Sequence, residues 1–278
     1  TGARPSGPTP DAARPSFQAL GEGDEGDMAE VEASGARART RVGPPIGEDW
    51  RSPRPPVLPA QLLGVGLALY DLREPLLVGR TAERTALWRA LRAVDQDRHG
   101  RAVILEGPSG TGKTRLARWL AERAHESGAA IVLEARHAED ERGETGVCPM
   151  LARHLRVTGL DSDGRAARLA TLLPALGMPD EDDLRAVTAL LGPPAEAGTA
   201  TWGAHADGAD QRVALTRRLL AAIAHGPEGP RPVLVVLDDA HWGSDALALA
   251  KAVLEQRDTL PVLLLLTTQP TALAADAP

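Results

Sequence analysis

Four apolar runs of strand length alternate with stretches of helical periodicity. Ala102 to Glu106 (AVILE) and Ala130 to Ala135 (AIVLEA) are short and rich in β-branched residues. Val233 to Leu237 (VLVVL) is apolar throughout, as is the start of PVLLLLTTQ, residues 261–269. Runs without alternation are what strands buried on both faces require, and parallel sheets bury both faces. Strands are therefore predicted near 102–106, 131–135, 233–237 and 262–267. Between them, Leu87, Leu91 and Val94 mark a helix from about Thr81 to Val94. Leu116, Leu120 and Ala124 recur every four residues, with Gly128 placed as a stop. Residues 136–230 are predicted to be helical and loosely connected. DEDDLRAVTALLG has acids in its first turn and Gly192 behind it. ADQRVALTRRLLAAIAHG puts Val213, Thr216, Leu219, Leu220 and Ile223 on one face. GPPAEAGTATWGAHADGAD, between them, reads as a flexible loop. Strands alternating with helices predict an α/β fold with a parallel sheet.

The first strand leads into GPSGTGKT, residues 107–114. Gly107, four free positions, then Gly112, Lys113 and Thr114 form the P-loop pattern. Glycines let successive N–H groups converge on phosphate oxygens, and the following helix adds the positive end of its dipole. Lys113 can reach outer phosphates, and the Thr114 hydroxyl can ligate Mg²⁺. A solvated Gly/Ser turn would carry similar letters, but strand, glycine loop and helix come here in the order a phosphate cradle needs.

The third strand ends in Asp238 and Asp239. Open α/β sheets bind ligands at the carboxyl ends of their strands. This reads as a Walker B strand, with Asp238 holding Mg²⁺ through water and Asp239 beside the attacking water. The competing assignment, two acids capping a helix at Ser244, fits any isolated pair of aspartates. Thr267, Thr268 and Gln269 end the last strand, where Thr268 is the candidate sensor of a terminal phosphate. The seven histidines lack paired ligand spacing, and Cys148 has no near partner, so metal-centre and thiol chemistry are not indicated. His241 could order the site or simply be satisfied by backbone; Trp242 is assigned to packing.

Composition narrows the picture. Lys113 and Lys251 are the only lysines among 31 basic residues, so a lysine in the loop stands out against an arginine-rich background. A net charge of −7 argues against sequence-independent nucleic-acid binding by a basic face. A single cysteine rules out an internal disulfide and fits a reducing, cytoplasmic setting. No run approaches the ~20 apolar residues of a membrane span, and no secretory signal is visible. Residues 1–60 are Pro, Gly, Ala and charge, including GEGDEGDMAEVE and RSPRPPVLP. That composition predicts a disordered linker, with a transient helix at 29–41 or a proline-recognition motif as local alternatives. The chain starts at Thr1 and has its first methionine at Met28, so a piece of a longer protein is expected.

Three motifs together carry a family resemblance. LLVGRTAERTALWRAL, GPSGTGKT and LVVLDDAHWGSDAL resemble the lead-in, Walker A and Walker B motifs of AAA-type ATPase domains of the STAND class, the signal-transduction ATPases with numerous domains. The resemblance spans about residues 60–278 and is thin over 136–230. It implies a three-layer P-loop NTPase fold over 61–278 and ATP with Mg²⁺ as the bound species. It also implies Val78, Gly79 and Arg80 near the adenine. Gly107, Pro108, Ser109, Gly110, Thr111, Gly112, Lys113, Thr114 and Arg115 would lie around the phosphates. Thr114 and Asp238 would hold the metal, and Lys113, Asp238 and Asp239 would act in catalysis. The implied function is a slowly hydrolysing nucleotide switch, because Asp239 is one methylene shorter than the glutamate of fast relatives. A non-hydrolysing scaffold and the nucleotide domain of a transcriptional activator are the alternatives. Implied partners are ATP, other domains of the same chain (a serine/threonine kinase upstream among them) and a nucleotide-dependent oligomer; no direct nucleic acid and no membrane are expected. Such domains order their strands 5-1-4-3-2. Only four strands are predicted here, so the expected order is 1-4-3-2, with the fifth strand missing, a truncated C-terminus and the P-loop strand exposed at an edge.

Overall fold

The computed structural model describes residues 46–51, 77–139, 145–192, 206–227, 229–255 and 259–270, and the backbone of Ser16–Leu20. In chain order its elements are β1 (Ser16–Leu20), α1 (Thr81–Asp97), β2 (Arg101–Glu106), α2 (Lys113–Glu126), β3 (Ile131–Arg136) and α3 (Val147–His154). They continue with α4 (Ser162–Ala175), α5 (Glu181–Leu190), α6 (Ala206–Ala224), β4 (Val233–Asp238), α7 (Ser244–Glu255) and β5 (Val262–Thr268).

One sheet runs β1-β2-β5-β4-β3. Its four parallel strands follow the expected 1-4-3-2 order, counting from the P-loop strand. Every residue of β5 is buried, as are the first five of β4, which explains their unbroken apolar runs. Strand β3, at the edge, alternates over its last four residues, with Glu134 and Arg136 exposed. Register levels the carboxyl ends: Glu106 lies opposite Thr268, and Arg136 opposite Asp238. Chemistry carried by those ends is thereby gathered in one place.

Both faces of the sheet are covered. Leu87, Leu91 and Val94 of α1 join Leu116 and Leu120 of α2 over Val103, Leu105, Leu234, Val236, Leu263 and Leu265. On the other face, Leu151, Leu169, Leu173, Val187, Leu219, Leu220 and Leu249 pack with Val233, Val235, Leu237, Leu264 and Leu266. The helices within 136–230 are thus not loosely connected; they share one buried cluster with the sheet. Helix α1 runs three residues past the predicted Val94, ending where Arg98 turns left-handed at φ 61°. Helix α2 stops as expected, with Gly128 at φ 61° and the Ala129 N–H returning to Ala124 O at 2.8 Å.

The exposed edge expected at the P-loop strand is not found. Strand β1 pairs antiparallel with β2, Phe17 opposite Leu105, so β2 has neighbours on both sides. An uncovered strand presents unpaired N–H and C=O groups, and β1 satisfies one such row. Its five residues lie between Pro15 and Gly21, in the stretch expected to be linker. Within that stretch Ile46 is also buried against the α1–α2 face. The run LLGVGLALY (62–70), the predicted 29–41 helix and the rest of residues 1–60 apart from 16–20 and 46–51 lie outside the described residues.

Candidate nucleotide site

The loop after β2 is shaped by backbone conformations that favour glycine. Gly110 has φ 77° and Gly112 φ 85°, and a Cβ on either would meet nothing within 4 Å. Left-handed geometry, not crowding, is the constraint there. The Thr111 hydroxyl donates to Pro108 O at 2.8 Å and braces the turn. Lys113 opens α2, and its Nζ donates to Gly107 O at 2.8 Å and Pro108 O at 2.9 Å. An ammonium has three N–H groups, so one remains for an anion in the cleft.

The acid end is tied to this loop by hydroxyls. Asp238 Oδ1 accepts from Thr114 Oγ1 at 2.9 Å and from Thr267 Oγ1 at 2.7 Å. Thr267 Oγ1 in turn accepts the Asp239 N–H at 2.9 Å. Asp239 itself is left-handed at φ 54°, turning the chain sharply where β4 ends. Along β5, Leu263, Leu265 and Thr267 share the P-loop face, so Thr268 falls on the other one. The Thr268 hydroxyl is buried without a hydrogen-bond partner among the described residues. Thr267, not Thr268, is the threonine that meets the two aspartates.

A second pair supports β4 from behind. His137, at the end of β3, donates its backbone N–H to Asp238 O at 2.9 Å. Its Nδ1 lies 3.3 Å from the same carbonyl and its Nε2 3.0 Å from Asp245 Oδ1. Asp245 Oδ2 accepts the Val147 N–H at 2.8 Å, joining the starts of α3 and α7. A Cβ on Gly243 would lie 2.0 Å from His137 Cδ2, so only glycine fits beside the ring. Burial opposes charge on His137, but the bond and charge of Asp245, with the carbonyl and carboxylate of Asp238, outweigh it and raise its pKa. Burial likewise opposes charge on Asp245; His137 and the N–H groups of Val147 and Ala246 outweigh it and lower its pKa. His241, the histidine singled out in the sequence, instead lies 4.9 Å from the Trp242 ring, with its Nδ1 buried and unpartnered among the described residues.

The opposite end of the cleft is made by the lead-in motif. Gly79 has φ 75° and Arg80 φ 51°. Arg80 Nη2 donates to Thr111 O at 2.7 Å and so binds this motif to the phosphate loop. Val78 is 86% exposed and, with Leu77, lines the cleft.

The cleft measures about 630 Å³, within the range of small-molecule sites. Of the expected residues, Val78, Ser109, Gly110, Gly112, Lys113, Thr114, Arg115 and Asp239 line it. Gly107, Pro108 and Asp238 instead hold the lining residues Lys113 and Thr114, and Arg80 and Thr111 brace the loop behind them. Arg118 and Gln269 also line it. Arg118 was readable in principle, since it sits one helical turn after Thr114. No group of three or more His, Cys, Asp or Glu among the described residues is placed to hold a metal ion. A Mg²⁺ ion does not need one: it keeps several waters and takes one or two protein oxygens plus phosphates. A hydroxyl and a carboxylate 2.9 Å apart, Thr114 and Asp238, are a donor set of that kind.

Comparison with curated proteins and with solved structures gave no match. Residues 76–271, more than two thirds of the chain and inclusive of every residue lining the cleft, match the family model of the AAA ATPase domain, and the chain belongs to that family.

Proposed function

We propose that this chain binds ATP with Mg²⁺ in the cleft and hydrolyses it slowly, as a nucleotide-dependent switch within a larger signalling protein of the STAND class. The observation that carries this reading is the joint fixing of loop and acid: Thr114 and Thr267 both donate to Asp238, beside Lys113. Lys113 would neutralise outer phosphate oxygens. Thr114 and Asp238 would hold Mg²⁺, which when bound would supply positive charge to the phosphates. Asp239 would orient water for in-line attack on the terminal phosphorus, the bond to the ADP oxygen breaking. Its N–H is pinned by Thr267, so its carboxylate reaches the cleft from a fixed backbone. Its short side chain accounts for the slowness. Val78 and Gly79 would face the adenine. A kinase domain or other output module on the same chain, a nucleotide-dependent oligomer and a cytoplasmic setting belong to this proposal. They are compatible with the absence, among the described residues, of a helix long and apolar enough to cross a membrane.

The test contrasts the two aspartates. Asp238→Asn should weaken Mg²⁺-dependent ATP binding by calorimetry. Asp239→Asn should leave affinity near the parent and slow single-turnover hydrolysis. Equal effects of both changes on both parameters would reduce the pair to a structural tie between the strand end and the loop, and a parent chain that binds ATP without turnover would make it a scaffold.

A further inference from the structure

We infer that Trp50 is a positioning residue for the nucleobase side of the cleft, acting through Arg84 on the backbone of Leu77–Arg80. The inference rests on the nucleotide reading above and adds a partner within the chain that the three motifs do not contain. Residues 46–51 are clipped to the α1–α2 face by several contacts. Ile46 is buried there, and Trp88 Nε1 donates to Gly47 O at 2.9 Å. Trp50 Nε1 reaches Thr85 Oγ1 at 3.3 Å, while Arg123 Nε donates to the Trp50 carbonyl. The Trp50 and Trp119 rings meet edge to face, with centroids 5.1 Å apart.

The Arg84 guanidinium lies over both rings, 4.0 Å from the Trp50 centroid and 4.6 Å from that of Trp119. Its Nη1 lies 3.5 Å from both Leu77 O and Gly79 O. Those carbonyls flank Val78, the apolar residue at the mouth of the cleft. The next residue, Arg80, holds Thr111 of the phosphate loop. Burial, with the nearby Arg51 charge adding to it, depresses the Arg84 pKa. Its Nε has no hydrogen-bond partner among the described residues, so the indole faces supply the compensating electrostatics. Two long contacts alone would not fix a five-donor fork; the rings fix its plane and thereby aim it at the two carbonyls. Removing the Trp50 ring would leave Arg84 free to swing away from Leu77 and Gly79, while the phosphate loop keeps its own bonds.

The full chain is titrated with ATP–Mg²⁺ and, separately, with inorganic tripolyphosphate–Mg²⁺, which has the phosphates and no base. Trp50→Ala should weaken ATP about fivefold, the scale of one partly desolvated cation–π contact. Tripolyphosphate affinity should stay within about twofold of the parent by the same reasoning, and Trp50→Phe should recover most of the ATP loss. Arg84→Lys keeps the charge and loses the flat fork, so it should reproduce the selective loss; it decides the matter should Trp50→Ala fail to fold. Equal weakening of both ligands in folded Arg84→Lys, or unchanged ATP affinity in it, would overturn the inference while leaving the nucleotide reading standing. A parent chain that binds neither ligand would overturn both.

Discussion

The two ends of the cleft are built by different means. At the phosphate end, side chains are delivered by buried strands: Asp238 and Thr267 stand on β4 and β5, whose apolar residues are almost wholly enclosed. Their bonds are short, 2.7 to 2.9 Å, and each group satisfies more than one partner. At the proposed base end, a loop with left-handed Gly79 and Arg80 carries Val78; Arg84 approaches its carbonyls only at 3.5 Å, and Arg80 ties it to Thr111 O at 2.7 Å. A strand can misplace a side chain only by disturbing the core, where each Leu or Val contributes roughly 1.5–3 kcal/mol. A loop held by two half-buried arginines, outside the core, can move for less. On the proposed reading, charge recognition would be preorganised, whereas base recognition would depend on a few adjustable contacts.

Breaking the phosphate end should give the largest effect. Lys113→Ala removes the buried ammonium and should cost about 2–4 kcal/mol in ATP binding, as charge-assisted bonds to phosphate do. Unchanged affinity in calorimetry would mean that the loop is not a phosphate cradle. Next comes Thr267→Val, which keeps shape and strand propensity. It strips a donor from Asp238 and an acceptor from the Asp239 N–H, so urea unfolding should show a loss of about 1–3 kcal/mol. Hydrolysis should fall more than ATP affinity, because the backbone carrying Asp239 loses its anchor.

A smaller effect is expected from pH, measured by urea unfolding of metal-free protein. His137 is raised above 6.5, so its contribution is complete below that value and is lost as pH rises through the folded pKa. Asp245 is lowered below 3.8, so its contribution holds above that value and is lost as pH falls through the folded pKa. The stability advantage of the parent over His137→Gln should therefore be greatest between pH 3.8 and 6.5 and shrink on the alkaline side. A flat difference across pH would show that the pair does not titrate on folding. The mildest change is Val78→Ser at the base end, since a side chain already 86% exposed has little contact to lose. It should weaken ATP by under about 1 kcal/mol and leave stability within about 0.5 kcal/mol. A loss as large as that of Lys113→Ala would erase the contrast between the two ends.

What could be read from the letters followed from local physics. The P-loop, its helix and the buried strands announce themselves because glycine geometry and continuous apolar runs are local requirements. The same full burial concealed which threonine matters. With every β5 residue buried, the pattern has no phase, so nothing marks Thr267 as facing the loop and Thr268 as facing away. His137 was invisible because its partner Asp245 is 108 residues further on. Strand β1 pairs with residues more than 80 positions away, and its five letters sit among prolines and glycines. Trp50 is followed by RSPRPP, a composition that reads as linker although residues 46–51 pack against two helices.

The position of β5 also sets an order of assembly. β2 and β4 do not pair; β5, later in the chain than either, lies between them and pairs with both. Thr114 and Asp238 can be drawn together only when that wedge is in place, and Thr267 rides on it. A chain emerging from the ribosome, at about 5–20 residues per second, would expose its complete glycine loop for several seconds before the acid could be set against it. Nucleotide would then be captured after folding has closed around β5, and a nascent chain stalled before residue 262 should leave ATP unbound.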